Sequence, residues 1–329
     1  MTTPKPPELA QPIRNRELGR RLRRAMREAR VDGLTVSTAL GTSVYTVSRW
    51  LTGRLTPSVM DAASILLLCQ VPRSQRQEIL ELLRPECDPG VLRLPVEEQW
   101  DAYRAFAADA KPLVEFASFM VPWLVQTPHY THAYLMHVPP SGGDVVAVEA
   151  KARQAPTVLD TVLRLNLLLH ECALRIPVGG SEVMADQVRY LALLAFRFGV
   201  SVRIIPANNP DNLAIPAGFT LMDFADFPSV IYRDDPTGAI LLDHHRDIAA
   251  YRDIADRLSD SALDEDTSLD LLTTIAAEYD QHTTDTHRAR LTHRCDTAPV
   301  DVGRSPTITP PAPAEIQASQ HAPDATPAS

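Results

Sequence analysis

The sequence predicts an all-α domain of five short helices, then a larger α+β or α/β body, then a disordered tail. Three observations carry that division. Residues 1–93 hold fifteen Lys and Arg against nine Asp and Glu, a charge of +6, so the rest of the chain carries −15 to reach the total of −9. Apolar residues recur at helical spacing through the basic part, and strand-like apolar runs appear only in the acidic part. From about Gln281 the chain is rich in Pro, Thr, Ala, His and Ser with little to bury, which is the composition of a disordered segment. A length of 329 residues suits two folded domains plus unfolded chain. The expected boundaries are an arm at 1–14, a basic domain at 15–94, an acidic domain at 95–280 and a tail at 281–329.

The first helix is expected from Asn15 to Arg30. Leu18, Leu22, Ala25, Met26 and Ala29 form its apolar stripe, and Arg20, Arg21, Arg23, Arg24, Arg27 and Arg30 cover the rest. Asp32 can cap a short second helix, Gly33 to Leu40, whose Thr, Ser and Gly content makes it dependent on packing. Gly41 stops it, Ser43 caps a third helix from Val44 to Leu51, and Val47 and Trp50 face inward three residues apart. Val44, Tyr45, Ser48 and Arg49 then lie outward. Gly53 ends that helix, Ser58 opens a fourth over Val59 to Cys69, and Ser74 is expected to cap a fifth over Gln75 to Leu83.

A helix, a glycine turn and a capped helix with a mixed outer face form a helix-turn-helix suited to a major groove. Val44, Tyr45, Thr46 and Arg49 are the base-reading candidates. Arg49 has the fork for guanine, Tyr45 reaches a base or a phosphate, and Val44 suits a thymine methyl. Arg20, Arg24, Arg27, Thr42, Ser43 and Arg54 are the phosphate candidates. The partner expected from this is double-stranded DNA, read by a homodimer, because one such helix covers only a few base pairs.

In the acidic part, helices are expected at Glu98 to Ala110, Pro128 to His137, Val145 to Gln154, Ser181 to Phe198 (capped by Ser181), Asp243 to Leu258 and Ser268 to Glu278. Strands are expected at Val162 to Leu169, Val200 to Ile205, Phe219 to Phe224 and Ser229 to Tyr232. Trp123, Tyr130 and Tyr134 are either core fillers or the lining of a small-molecule pocket.

Other chemistries find little support. Cys69, Cys87, Cys172 and Cys295 form no CxxC pair, as expected of reduced thiols in a cytoplasmic protein. His170-Glu171 lacks the second His of a zinc helix, since Leu174 occupies that position, and Asp243, His244, His245 and Asp247 have Arg246 and Asp253 for ordinary ion pairs. Val178-Gly179-Gly180-Ser181 reads as a turn before a helix rather than an anion site. No nucleophile-elbow, P-loop or dinucleotide fingerprint occurs, so neither a catalytic nor a metal residue is assigned, no cofactor is expected, and the chain is read as a non-enzyme. No run of about twenty apolar residues suggests a membrane span.

LGRRLRRAMREAR and LGTSVYTVSRWLTGRLTPS resemble the Xre-type helix-turn-helix domain of phage-repressor-like bacterial regulators, over about 15–84. That family's second helix usually begins Gly-Leu-Ser or Gly-Leu-Thr followed by Gln and Glu, where this chain has Arg30 to Thr35. VPWLVQTPHYTHAYL, KARQ at Lys151 to Gln154, ECALRIPVGGSEVMADQVRYL and AGFTLMDFADFPSVIY occur in the order found in the antitoxin-like, WhiJ-like regulatory domain of actinobacterial regulators, over roughly 98–280. Trp123, where Gly is usual, and His170, where an acid is common, depart from that pattern. The resemblance implies a nucleoid-associated transcription regulator whose acidic domain binds a small protein partner encoded nearby, carries the dimer contact, or both.

Overall fold

Five amphipathic helices wrap one apolar cluster at the amino end. In the computed structural model, which describes residues 12–84, 90–137, 145, 149–150, 153, 157, 159–162, 164–197, 199–209, 217–235 and 237–295, with side chains to 284, they are α1 (Pro12–Glu28), α2 (Gly33–Leu40), α3 (Val44–Leu51), α4 (Val59–Leu68) and α5 (Arg73–Glu81). Leu18 and Leu22 of α1, Val36 of α2, Val47 and Trp50 of α3, and Ile65 and Leu66 of α4 are buried together. Each such side chain stabilises the fold by about 1.5–3 kcal/mol. That burial offsets the poor intrinsic propensity of α2.

Local chemistry shifts three expected boundaries. The first helix starts at Pro12 and ends at Glu28, so Arg30 lies beyond it with φ of 55°, and the expected arm is helical from Pro12 on. Ser74 is not the cap of α5, because the helix begins one residue earlier at Arg73 after Pro72, which makes no side-chain cap bond. Proline suits a helix start, having no amide hydrogen to leave unpaired.

The acidic part forms a mixed seven-stranded sheet among the described residues, ordered β1-β7-β6-β5-β2-β3-β4. Its strands are β1 (Val91–Pro95), β2 (Leu113–Ala117), β3 (Leu165–His170), β4 (Val200–Ile205), β5 (Phe219–Met222), β6 (Val230–Asp235) and β7 (Gly238–Leu242). β2-β3 and β3-β4 are parallel, and the remaining pairs are antiparallel. β1, β2 and β7 are additions to the strands expected from sequence.

Period-two alternation sorts the two faces. Phe116, Leu168, Ile205, Phe219, Leu221 and Ile231 meet Ala255 and Leu258 of the helix His245–Ser261. Leu113, Leu167, Val202, Tyr232 and Leu241 turn the other way, toward α6 (Val96–Asp109) and the helix Ser181–Leu194, on which α7 (Pro128–His137) packs. The sheet therefore has helices on both sides.

The helix Ser181–Leu194 is preceded by Gly180 at φ 87°, so Ser181 is its first residue and not its cap. The last helix, Glu265–Cys295, continues past the Gln281 where the sequence suggests a tail. Residues 1–11 and 296–329, and most of the helix expected at Val145 to Gln154, lie outside the described residues.

Candidate nucleic-acid interface

Two caps and one left-handed glycine shape the α2–α3 unit. Asp32 accepts a hydrogen bond from the Thr35 amide at 2.8 Å, and Ser43 Oγ accepts one from the Thr46 amide at 3.0 Å. Each cap is worth about 1 kcal/mol. Gly41, between the helices, has φ 62° and ψ 32°, a conformation costly for a residue with a Cβ. The turn it makes sends α3 across α2, with Val47 and Trp50 inward.

The outer face of α3 is open. Val44 is 49% and Tyr45 72% exposed, and Thr46 and Arg49 are half-buried at its flank. The Arg49 guanidinium lies 5.8 Å from the Tyr45 ring centre and donates to the Arg54 carbonyl at 3.4 Å. Thr42 and Ser43 sit at the amino end of α3, Thr42 half-buried and Ser43 exposed. Apart from Arg49 at its face, Tyr45 has no ring contact among the described residues and stays 72% exposed, unusual for so large a ring.

The arginines of α1 divide into two groups that sequence alone does not separate. Arg27 is exposed and pairs with no carboxylate among the described residues. Arg20 is a correction to the expected phosphate set. It is 8% exposed and donates to both Glu17 oxygens, at 2.7 and 2.6 Å, and to Glu98 at 2.5 Å. Burial opposes its charge, but these carboxylates outweigh it and raise its pKa, so the group is held inside the protein. Arg24 is intermediate, bonded to Glu28 at 2.9 Å and facing Asp101 at 3.4 Å.

Of these acids, Glu17 and Glu28 belong to α1 itself, and Glu98 and Asp101 to α6, which binds the helical domain to the sheet. Arg16 donates to Asp109 at 2.9 Å and its guanidinium stacks 3.9 Å from the centre of Phe224 and 4.5 Å from that of Phe106. Arg54, after α3, is bonded to Asp226 at 2.6 Å. Glu98, Asp101, Asp109 and Asp226 had no signal in the local sequence, because their partners lie far away along the chain.

The aromatic trio of the acidic part divides into one buried ring and two half-buried ones. Tyr130 is fully buried, its hydroxyl accepting from the Val121 amide at 3.1 Å. Trp123 and Tyr134 are half-buried and meet edge to face. The two His-carboxylate stretches are used locally: His170 Nδ1 accepts from the Cys172 amide at 3.2 Å, His244 Nδ1 from the Arg246 amide at 3.3 Å, and Asp243 from the Ile13 amide at 2.8 Å. No group of three or more metal-ligating side chains occurs among the described residues.

Residues 17–79, the five-helix unit, match a helix-turn-helix domain family. Residues 100–274, more than half of the chain, match a family described as a domain of unknown function, DUF5753. The chain belongs to the DUF5753 family. In it the DUF5753 segment comprises most of α6, six of the seven strands and the helices that flank them. No curated protein and no solved structure matches the chain. The helix-turn-helix domain supports a DNA-binding regulator, and no helix among the described residues is long and apolar enough to cross a membrane.

Proposed function

We propose that the chain is a sequence-specific transcriptional regulator of the Xre type, with a WhiJ-like, antitoxin-like DUF5753 domain. The observation that carries this reading is the open outer face of α3, set by Gly41 and the Ser43 cap and bearing Val44, Tyr45, Thr46 and Arg49. Arg49 reads guanine, Val44 and Tyr45 meet neighbouring bases, and Thr42, Ser43, Arg27 and Arg54 hold phosphates. A homodimer places two such helices on a two-fold site, which supplies the discrimination that one helix lacks. The protein acts in the cytoplasm on the nucleoid, and its acidic domain carries the dimer contact or receives a small protein partner. It performs no catalysis.

The test is selection of bound duplexes from a random pool by the full-length protein and by Arg49→Ala. An inverted repeat enriched by the wild type, with loss of discrimination at one guanine in the variant, is the expected result. Absence of any enriched sequence, or full discrimination kept by Arg49→Ala, overturns the assignment.

A second reading, a regulator tuned by a small molecule, is favoured by the half-buried pair Trp123 and Tyr134. A ligand that changes operator affinity supports it; a protein that does so favours the partner reading.

A further inference from the structure

A cleft separates α1 of the helix-turn-helix domain from α6. Its volume is about 750 Å³, inside the range of about 300–1,000 Å³ usual for small-molecule sites. The sequence of α6 makes this space. Asp101, Arg104, Ala105 and Ala108 recur at helical spacing along the cleft, and the two alanines have too little side chain to fill the gap to α1. Ion pairs join the helices instead: Arg16 with Asp109 at 2.9 Å, Arg20 with Glu98 at 2.5 Å and Arg24 with Asp101 at 3.4 Å.

Apolar surface and unused positive charge meet in the lining. Val31, Leu51, Ala105 and Ala108 all border the cleft and are all half-buried, so part of each side chain is left to water. Taking that surface out of water favours an apolar occupant. The carboxylates of the lining are committed: Glu28 and Asp101 face Arg24, at 2.9 and 3.4 Å, and Asp32 accepts from the Thr35 amide at 2.8 Å. Arg23 and Arg27 border the same space, are exposed, and pair with no carboxylate among the described residues. Arg23 donates only to a neutral acceptor, the Leu51 carbonyl at the end of α3.

We propose that this cleft binds a small anionic molecule with an apolar body. Arg23 and Arg27 hold its carboxylate or phosphate, and its body lies on Val31, Leu51, Ala105 and Ala108. Guanidinium groups suit either anion through paired N–H donors. The site is separate from Trp123 and Tyr134, and it rests on the small-molecule reading only for an effect on DNA. That effect has a physical route. Leu51 ends α3, and Arg27 cannot hold a bound anion and a DNA phosphate at once, so an occupied cleft lowers operator affinity.

The experiment is a fluorescence titration of the full chain with 8-anilinonaphthalene-1-sulfonate, an apolar anion whose sulfonate stands in for the carboxylate or phosphate. N-phenyl-1-naphthylamine, the same ring system without the sulfonate, is the control. Saturable emission with a midpoint on the order of 100 micromolar is expected. Binding should weaken about tenfold for the neutral analogue and about tenfold in the double variant Arg23→Gln/Arg27→Gln. Both positions are exposed, so the variant should keep the wild-type far-ultraviolet dichroism. Ala105→Leu, which narrows the cleft without touching the arginines, should also abolish saturable binding; should it fail to fold, the arginine variant carries the test. No saturable emission, equal binding of the neutral analogue, or unchanged affinity in the folded arginine variant overturns the proposal. So does full emission in folded Ala105→Leu, which would place the dye on exposed side chains such as Leu193 and Phe196. Because the assay contains no DNA, its failure leaves the DNA-binding reading standing.

Discussion

Arg54, in the turn after α3, is held 2.6 Å from Asp226 on the loop between β5 and β6. The same loop lays Phe224 and Phe227 against Arg16 of α1, so Asp226 is carried by a packed segment. If Arg54 holds a DNA phosphate, Asp226 competes with that phosphate for the guanidinium. Both side chains are more than half exposed, so their pair is worth about 0–1 kcal/mol. Asp226→Asn should therefore raise operator affinity by up to about fivefold at low salt, with the gain shrinking as salt screens the charges. Fluorescence anisotropy at two salt concentrations reads this directly. Equal or weaker binding by the variant means that Arg54 does not contact the backbone.

Arg27 makes a different prediction, because no carboxylate among the described residues engages it. A free guanidinium that neutralises one phosphate contributes about 0.9 to the slope of log affinity against log salt. Arg27→Gln should lower that slope by about 1 while leaving base preference unchanged. Arg20→Gln should instead reduce the urea midpoint of unfolding, since it takes from Glu17 and Glu98 the buried cation they share and leaves them Arg21 at 2.8 Å and Arg24 at 3.5 Å. A slope unaffected by Arg27→Gln removes that residue from the interface.

The contrast between Arg27 and Arg20 also marks how far sequence reading reaches. The α2–α3 unit was legible because its signals are local. Gly41, the Ser43 cap and the inward spacing of Val47 and Trp50 all act within about four residues. The role of Arg20 was not legible, because its partner Glu98 lies 78 residues away and spacing on α1 cannot say which arginines meet α6. β1, β2 and β7 were missed for a related reason. Each has only five residues, and in β2 the polar Glu115 interrupts the apolar pattern while being buried beside Tyr103. The Ser74 and Ser181 caps were misplaced because Pro72 and Gly180 begin those helices through backbone preference, which competes with side-chain capping.

Glu115 gives a pH dependence with a defined sign. Burial lifts its carboxyl to about 8, Tyr103 donates to its oxygens at 3.1 and 3.0 Å, Thr220 is 3.5 Å away, and Asp234 adds like-charge repulsion. The folded protein keeps this proton to about pH 8, whereas an unfolded chain releases it near the model-peptide value of about 4.3. Between those values the folded state binds more protons, so stability is lost as pH rises through the window and levels off above it. The largest slope from one group is about 1.4 kcal/mol per pH unit. Glu115→Gln, which mimics the protonated acid, should flatten the dependence. Urea midpoints at pH 5, 6.5 and 8 compare the two proteins, and parallel curves would show that Glu115 is ionised in the fold.

Gly19 of α1 tests how closely α3 is seated. A Cβ at this position would lie 2.5 Å from the Leu51 carbonyl oxygen and 2.8 Å from that of Trp50, both backbone atoms at the end of α3. Helix propensity alone favours Gly19→Ala by about 1 kcal/mol. Overpacking against a backbone that has no rotamer to change costs about 1–3 kcal/mol, which outweighs the gain. The variant should have a lower urea midpoint, and its α3 should shift away from α1, weakening operator binding more than its loss of stability explains. A variant as stable as the wild type with unchanged DNA affinity would mean that α1 and α3 are further apart than 2.5 Å implies.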